Sequence, residues 1–194
     1  MPKPAWGTFI LETLKTILIV TLLAVLIRTF LIQPFIVEGH SMEANYHNGD
    51  YLLIDKLTYR FHAPARGQVI VFVPPQNSSE DYIKRIIGLP GDRVVIEAGQ
   101  ITVYNSAHPN GKVLDESYLD NDVKNGFARL NQFVDITLKS DEYYVMGDNR
   151  TASTDSRVFG PIKKDTIVGR SLIRLFPFSD VTYFGHALNP IGTE

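Results

Sequence analysis

From Phe9 to Ile32 the chain reads FILETLKTILIVTLLAVLIRTFLI, and between Thr16 and Ile27 it carries no charge. A bilayer core about 30 Å thick is crossed by about 20 apolar residues wound as helix, so this run is long enough to span one. A helix packed in a soluble core would show a polar stripe, and Ile17 to Ile27 has none beyond Thr21. Glu12 and Lys15 are three apart on one face near the amino end, where they can pair and reach an interface. Arg28 has a stem long enough to snorkel outward, and Pro34 disfavours helix at Gln33 and so marks the exit. The stretch Arg28 to Pro34 holds no small-x-small pattern, which favours a retained anchor over a cleaved leader.

This feature divides the chain. Residues 1–8 read as a short cytoplasmic start, 9–32 as the transmembrane anchor, 33–185 as a folded extracytoplasmic domain and 186–194 as a flexible tail. Lys3 and Lys15 against the single Arg28 place the amino end inside, in a single-pass protein of the cell membrane. The phospholipid bilayer is then one partner. Nucleic acid is not expected as another, because 19 Lys and Arg against 21 Asp and Glu leave no basic excess. The absence of cysteine excludes disulfides, thiolate–metal sites and a cysteine nucleophile.

Beyond Gln33 the local signals are β. Tyr51–Ile54, Gln68–Val73, Tyr82–Ile87, Arg93–Ile96, Gln100–Tyr104, Glu142–Met146 and Ser171–Phe176 are short β-branched or aromatic runs. Turn chemistry separates them, as in Asn48-Gly49-Asp50, Leu89-Pro90-Gly91-Asp92 and Gly147-Asp148. Ala98-Gly99 reads as a tight hairpin. The expected class is mainly β, an antiparallel sheet or barrel-like domain behind one amino-terminal transmembrane helix. Residues 105–133 are polar and irregular and read as an inserted excursion.

The five histidines show no zinc-protease spacing. A triad built on His40 and Ser41 is awkward, since neighbours on a strand point to opposite faces. In Asp81-Tyr82-Ile83-Lys84-Arg85-Ile86-Ile87, a strand would set Tyr82, Lys84 and Ile86 on one face. Burial there pulls a lysine toward neutrality, and a neutral lysine is a base able to activate a serine. An edge-strand lysine that blocks aggregation fits the same residues. The cluster from Gly147 to Arg157 is either a polar surface loop or the supporting shell of a pre-organised site.

Taken together and in order, these blocks carry a resemblance. An anchor, Ser41-Met42, Arg66 to Phe72, Tyr82 to Asp92, Gly147-Asp148-Asn149-Arg150 and Asp155-Ser156-Arg157 resemble bacterial type I signal peptidases, membrane-bound serine proteases. The resemblance implies removal of amino-terminal signal peptides from exported proteins after a small-x-small motif, by a Ser–Lys dyad and an acyl-enzyme. It implies Ser41 as nucleophile and Lys84 as general base, with no metal or cofactor. Ser153 would orient the lysine, and Arg85 with Asp148 and Asp155 with Arg157 would form supporting ion pairs. Phe35, Val37, Met42, Tyr82 and Ile83 would line the substrate pockets, and the Ser41 N–H would serve the oxyanion hole. The chain departs from the family pattern at Ala44-Asn45, where Pro-Thr is usual and Tyr46 follows, and at Gly39, where some members place a serine.

Overall fold

A computed structural model of the chain describes residues 5–184. The expected tail at 186–194 lies outside the described residues, as do positions 1–4 of the expected cytoplasmic start.

The apolar run forms one helix, α1 (Ala5–Phe30), about 39 Å long at 1.5 Å per residue. The domain does not cover its side chains; Leu18, Ile19 and Leu23 are all more than half exposed. Its hydroxyls close on the helix itself: Thr13 and Thr16 donate to the carbonyls of Phe9 and Glu12, each at 2.9 Å. Glu12 and Lys15 pair at 3.8 Å, as their spacing requires. The helix stops earlier than the apolar run does. Ile32 opens strand β1 (Ile32–Ile36), which pairs antiparallel with β2 (Tyr51–Asp55). Pro34 has no N–H to give a second neighbour, and β1 is an edge strand, where proline is tolerated.

A short helix, α2 (Thr58–Phe61), follows β2. The strands β3 (Val69–Phe72), β4 (Tyr82–Gly88), β9 (Glu142–Met146), β10 (Ile162–Lys163), β11 (Ile167–Phe176) and β12 (Thr182–Tyr183) join β1 and β2 in one sheet. Its order is β1-β2-β11-β3-β4-β9-β10, with β12 on β11, and every pairing is antiparallel. Thus β4 lies between β3 and β9, deep in the sheet. A second sheet, order β7-β6-β5-β8, is built from β5 (Arg93–Glu97), β6 (Gln100–Tyr104), β7 (Lys112–Val113) and β8 (Val134–Thr137). The β5–β6 hairpin turns at Ala98 and Gly99, with φ of +50° and +77°, the handedness that two-residue hairpin turns prefer.

Each of the seven expected strands is present, and the class is mainly antiparallel β as expected. Residues 105–133 differ from the expectation. They contain β7 and helix α3 (Asn121–Arg129), and they bury Leu114, Leu119 and Phe127. The segment closes one face of the small sheet, because Leu114 and Phe127 pack with Val94, Ile96, Ile101 and Val103. Its amphipathic period of 3.6 was masked by Asn, Asp and Gly, which are weak helix formers.

The candidate active site

Strand alternation on β4 acts first. Tyr82 and Ile86 join a cluster with Ile70 and Phe72, while Ile83 joins the cluster of Val37, Met42 and Val69 on the other side. Lys84 stands between Tyr82 and Ile86 and is only 4% exposed. Its Nζ donates to the Ile83 carbonyl at 2.8 Å and lies 2.7 Å from Ser41 Oγ. The Tyr82 ring centre is 5.4 Å away. Burial pulls the ammonium down from the ordinary lysine value to about 8, and the charges of Asp155 and Asp148 oppose it. Among the described residues no histidine is hydrogen-bonded to the serine: the adjacent His40 has its Nδ1 2.6 Å from Glu43 Oε1.

Ser41 comes from the turn that joins β1 to β2, and the loop after β9 holds it. Asn149 donates twice, from its N–H to the Ser41 carbonyl at 3.0 Å and from Nδ2 to the His40 carbonyl at 3.1 Å. The approach is close enough that a Cβ on Gly147 would clash with both the Ser41 carbonyl and Ser153 Oγ. The Ser41 N–H donates to no acceptor among the described residues and remains free to receive one.

Behind this contact lie two bidentate pairs. Arg85 donates to Asp148 through Nε at 2.7 Å and Nη2 at 2.5 Å, and to the Gly67 carbonyl through Nη1 at 2.8 Å. Burial works against the Arg85 charge, but the adjacent Asp148 carboxylate outweighs it and holds the guanidinium above its usual range. Arg157 grips Asp155 through Nε and Nη2, both at 2.8 Å, and Asp155 accepts the Gly147 N–H at 3.0 Å. These pairs fix the ends of the Gly147–Arg157 loop.

The cleft above Ser41 and Lys84 measures about 540 Å³ and is lined by Phe35, Gly39, His40, Tyr82, Ile83 and Thr154, among others. Phe35, Tyr82 and Ile83, expected from the resemblance to meet substrate, line this cleft. Val37 and Met42 do not: they are 2% and 1% exposed, packed on Leu52, Ile54 and Val71 beneath the cleft. Val37 follows the end of β1 and is enclosed. Met42 instead braces the site, its Sδ accepting the Asp148 N–H at 3.4 Å. Ser153 is near, yet its buried Oγ finds no hydrogen-bond partner among the described residues, so the expected bond to Lys84 is not made here.

The model of the family described as "Signal peptidase, peptidase S26" matches residues 10–176. The chain belongs to that family. It is a signal peptidase, a serine endopeptidase. The chain is 35% identical over 181 residues to a probable signal peptidase I-2 of Synechocystis, covering 91% of this chain and 76% of that protein. It is 34% identical over 169 residues to signal peptidase IB of Staphylococcus aureus, covering 81% and 83%. A crystal structure of a signal peptidase I from Enterococcus faecalis matches at 32% identity with a TM-score of 0.48, over 56% of this chain and 97% of that one.

The structure accounts for the departures from the usual signal peptidase pattern. Asn45 takes up the Asp148 carboxylate through Nδ2 at 2.9 Å and the Tyr118 carbonyl at 3.1 Å, so it is part of the scaffold. Tyr46 does not narrow the cleft. It is buried on Phe184, ring centres 4.9 Å apart, and burial raises its hydroxyl to about 12. Gly39 has φ of +90° and donates to Asn48 Oδ1 at 2.9 Å, a backbone conformation that other residues adopt at a cost.

Several supports escaped the sequence reading. Arg150 is fully buried, paired with Glu116, hydrogen-bonded to Tyr118 OH at 2.9 Å and to the Gly147 carbonyl at 3.1 Å. The cue was present in the run Asn149-Arg150, but Glu116 and Tyr118 lie more than thirty residues away, and spacing does not bring them together.

Proposed function

We propose that this signal peptidase cleaves exported precursors after a small-x-small motif with Ser41 as nucleophile and Lys84 as general base. The observation that carries this reading is the 2.7 Å contact between Lys84 Nζ and Ser41 Oγ, with the lysine buried against Tyr82. In its neutral form Lys84 accepts the Ser41 proton as Oγ attacks the scissile carbonyl. The resulting oxyanion receives the unengaged Ser41 N–H. The tetrahedral intermediate collapses, the leaving amine takes the proton from Lys84, and Ser41 is left acylated. Water then gives a proton to Lys84 and attacks the acyl carbon. As the second tetrahedral intermediate collapses, Lys84 returns that proton to Ser41 Oγ, freeing the serine and restoring the neutral lysine. Phe35, Tyr82 and Ile83 supply apolar walls for small side chains, and no cofactor is needed.

The substrates are signal peptides of secretory precursors. Residues 9–32 anchor the enzyme by α1 in the cell membrane, with residues 1–8 inside and 33–185 outside. An uncovered apolar helix of this length supports that placement. The anchor brings enzyme and membrane-inserted precursor to one depth. Asp148 with Arg85 and Asp155 with Arg157 position the loop against Ser41, and the Ser153 hydroxyl, unengaged beside Gly147, is left to turn to Lys84 during proton transfer.

Cleavage of a synthetic precursor by wild type, Ser41→Ala and Lys84→Arg tests the dyad. Both variants are expected to stay folded and lose cleavage by about a thousandfold or more. Substantial turnover by folded Lys84→Arg would end the assignment, since a guanidinium does not deprotonate in this range. Protease added to intact spheroplasts should digest the domain; full protection would reverse the orientation.

A further inference from the structure

The turn after β2 folds back on the end of α1. Lys56 N–H donates to the Leu31 carbonyl at 2.9 Å, and Arg60 stacks its guanidinium 5.1 Å from the Phe30 ring centre. Lys56, Tyr59 and Arg60 border one side of α2 and its entry, and Leu57, Thr58 and Phe61 the other. Each face borders its own hollow. One, of about 230 Å³, is lined by Lys56, Tyr59, Arg60 and Lys164. The other, of about 310 Å³, is lined mainly by Leu31, Ile32, Leu57, Phe61 and Leu172. Asp55 also borders the second, but its carboxylate is taken up by Arg170 Nε at 3.0 Å and by Thr58.

Charge distinguishes this corner. Arg66, Arg85, Arg150, Arg157, Arg170 and Arg174 each face a carboxylate. Lys56, Arg60 and Lys164, gathered in one hollow, have no carboxylate partner among the described residues, and neither has Arg28 in the last turn of α1. Beside them Phe61 is 74% exposed, an unfavourable placement for a large apolar ring in water.

We propose that this corner binds one anionic phospholipid, its phosphate held by Lys56, Arg60 and Lys164 and an acyl chain lying along Leu31, Leu57 and Phe61. The inference rests on the reading of α1 as an anchor, which sets the corner at headgroup depth where the chain leaves the bilayer. Cations with no carboxylate partner then meet the phosphate, Lys56 giving up the Gln33 Oε1 to which it donates at 3.3 Å, and the exposed apolar wall meets the hydrocarbon. Bound there, the lipid fixes the domain relative to α1 and so sets the height of Ser41 above the membrane.

The test uses the full chain with Trp6→Phe and Phe61→Trp, which moves the single tryptophan to the corner. It is reconstituted in phosphatidylcholine vesicles whose minor, bromine-tailed component is either phosphatidylglycerol or phosphatidylcholine. Stronger quenching by the brominated phosphatidylglycerol is expected. Lys56→Gln and Lys164→Gln should each weaken that preference about fivefold, and the variant lacking all three cations should lose it. Equal quenching by the two lipids in the parent would overturn the proposal. So would loss of the preference on adding inorganic phosphate, which would assign the hollow to a free anion. Alkaline extraction of the same vesicles checks the anchor separately. Retained protein with equal quenching defeats the lipid site alone, whereas released protein defeats the anchor reading. Unchanged cleavage of a soluble peptide in detergent verifies that the variants are folded.

Discussion

The carbonyl of Ser41 accepts the backbone N–H of Asn149 at 3.0 Å, so the turn carrying Ser41 and the loop after β9 are joined main chain to main chain. The join is possible because Gly147 has no side chain: a Cβ there would clash with that same carbonyl and with Ser153 Oγ. Gly147→Ala should therefore push Ser41 away from Lys84. A displacement near 1 Å is enough to lower turnover about a hundredfold. Steady-state kinetics beside thermal melting checks this; normal turnover would mean that the loop yields without moving Ser41.

With Lys84 as the proposed base, its ionisation is expected to set the pH profile. With its value held at about 8, the reactive neutral form accumulates as pH rises through that point. kcat/KM on a synthetic precursor should climb through pH 8 and level off above it. Stability follows the same sign. The unfolded lysine binds its proton up to about 10.4 and the folded one only to about 8, so between these values the unfolded state holds more protons. Folding stability from this group rises with pH across that window. Lys84→Met, which cannot be charged, should melt higher than wild type at pH 6 and lose that advantage by pH 10. Parallel melting curves at all pH values would contradict the burial account.

Asp148→Asn removes the charge that balances buried Arg85. Leaving one member of such a pair uncompensated costs about 3–5 kcal/mol. Urea unfolding should show a loss of that size in free energy, as a lower midpoint with little change in slope. A shift below about 1 kcal/mol would place the pair with weak surface bridges.

Ser153→Ala takes away a buried hydroxyl that has no hydrogen-bond partner among the described residues. Stability should therefore be unchanged or slightly higher, because no bond is lost. Turnover per folded molecule should fall, by about tenfold, if the hydroxyl serves Lys84 during proton transfer. Lower melting with full turnover would mark Ser153 as structural only.

The β class, the seven strands and the helix at the amino end were legible because each depends on short-range periodicity: an unbroken apolar run, alternation by two, and turn residues between. The placement of Lys84 on a buried strand face was legible for the same reason. The strand and helix within residues 105–133 were not legible, because Phe127 and Leu114 gain their burial only against Val94 and Ile101 of another hairpin. Val37 and Met42 were placed in the substrate cleft, and enclosure by Leu52 and Val71 puts them beneath it.

The sequence by itself determined the apolar helix, the antiparallel strands and the residue types available for chemistry, since those rest on neighbours along the chain. Only the tertiary structure decided that Ser41 Oγ meets Lys84 Nζ, forty-three residues away. It also decided that Asn45 and Met42 brace Asp148, and that Glu116 pairs with Arg150. The physical reason is that such contacts depend on sheet order and loop closure. These set β4 beside β9, and with them the distance between side chains whose separation in sequence carries no information about it.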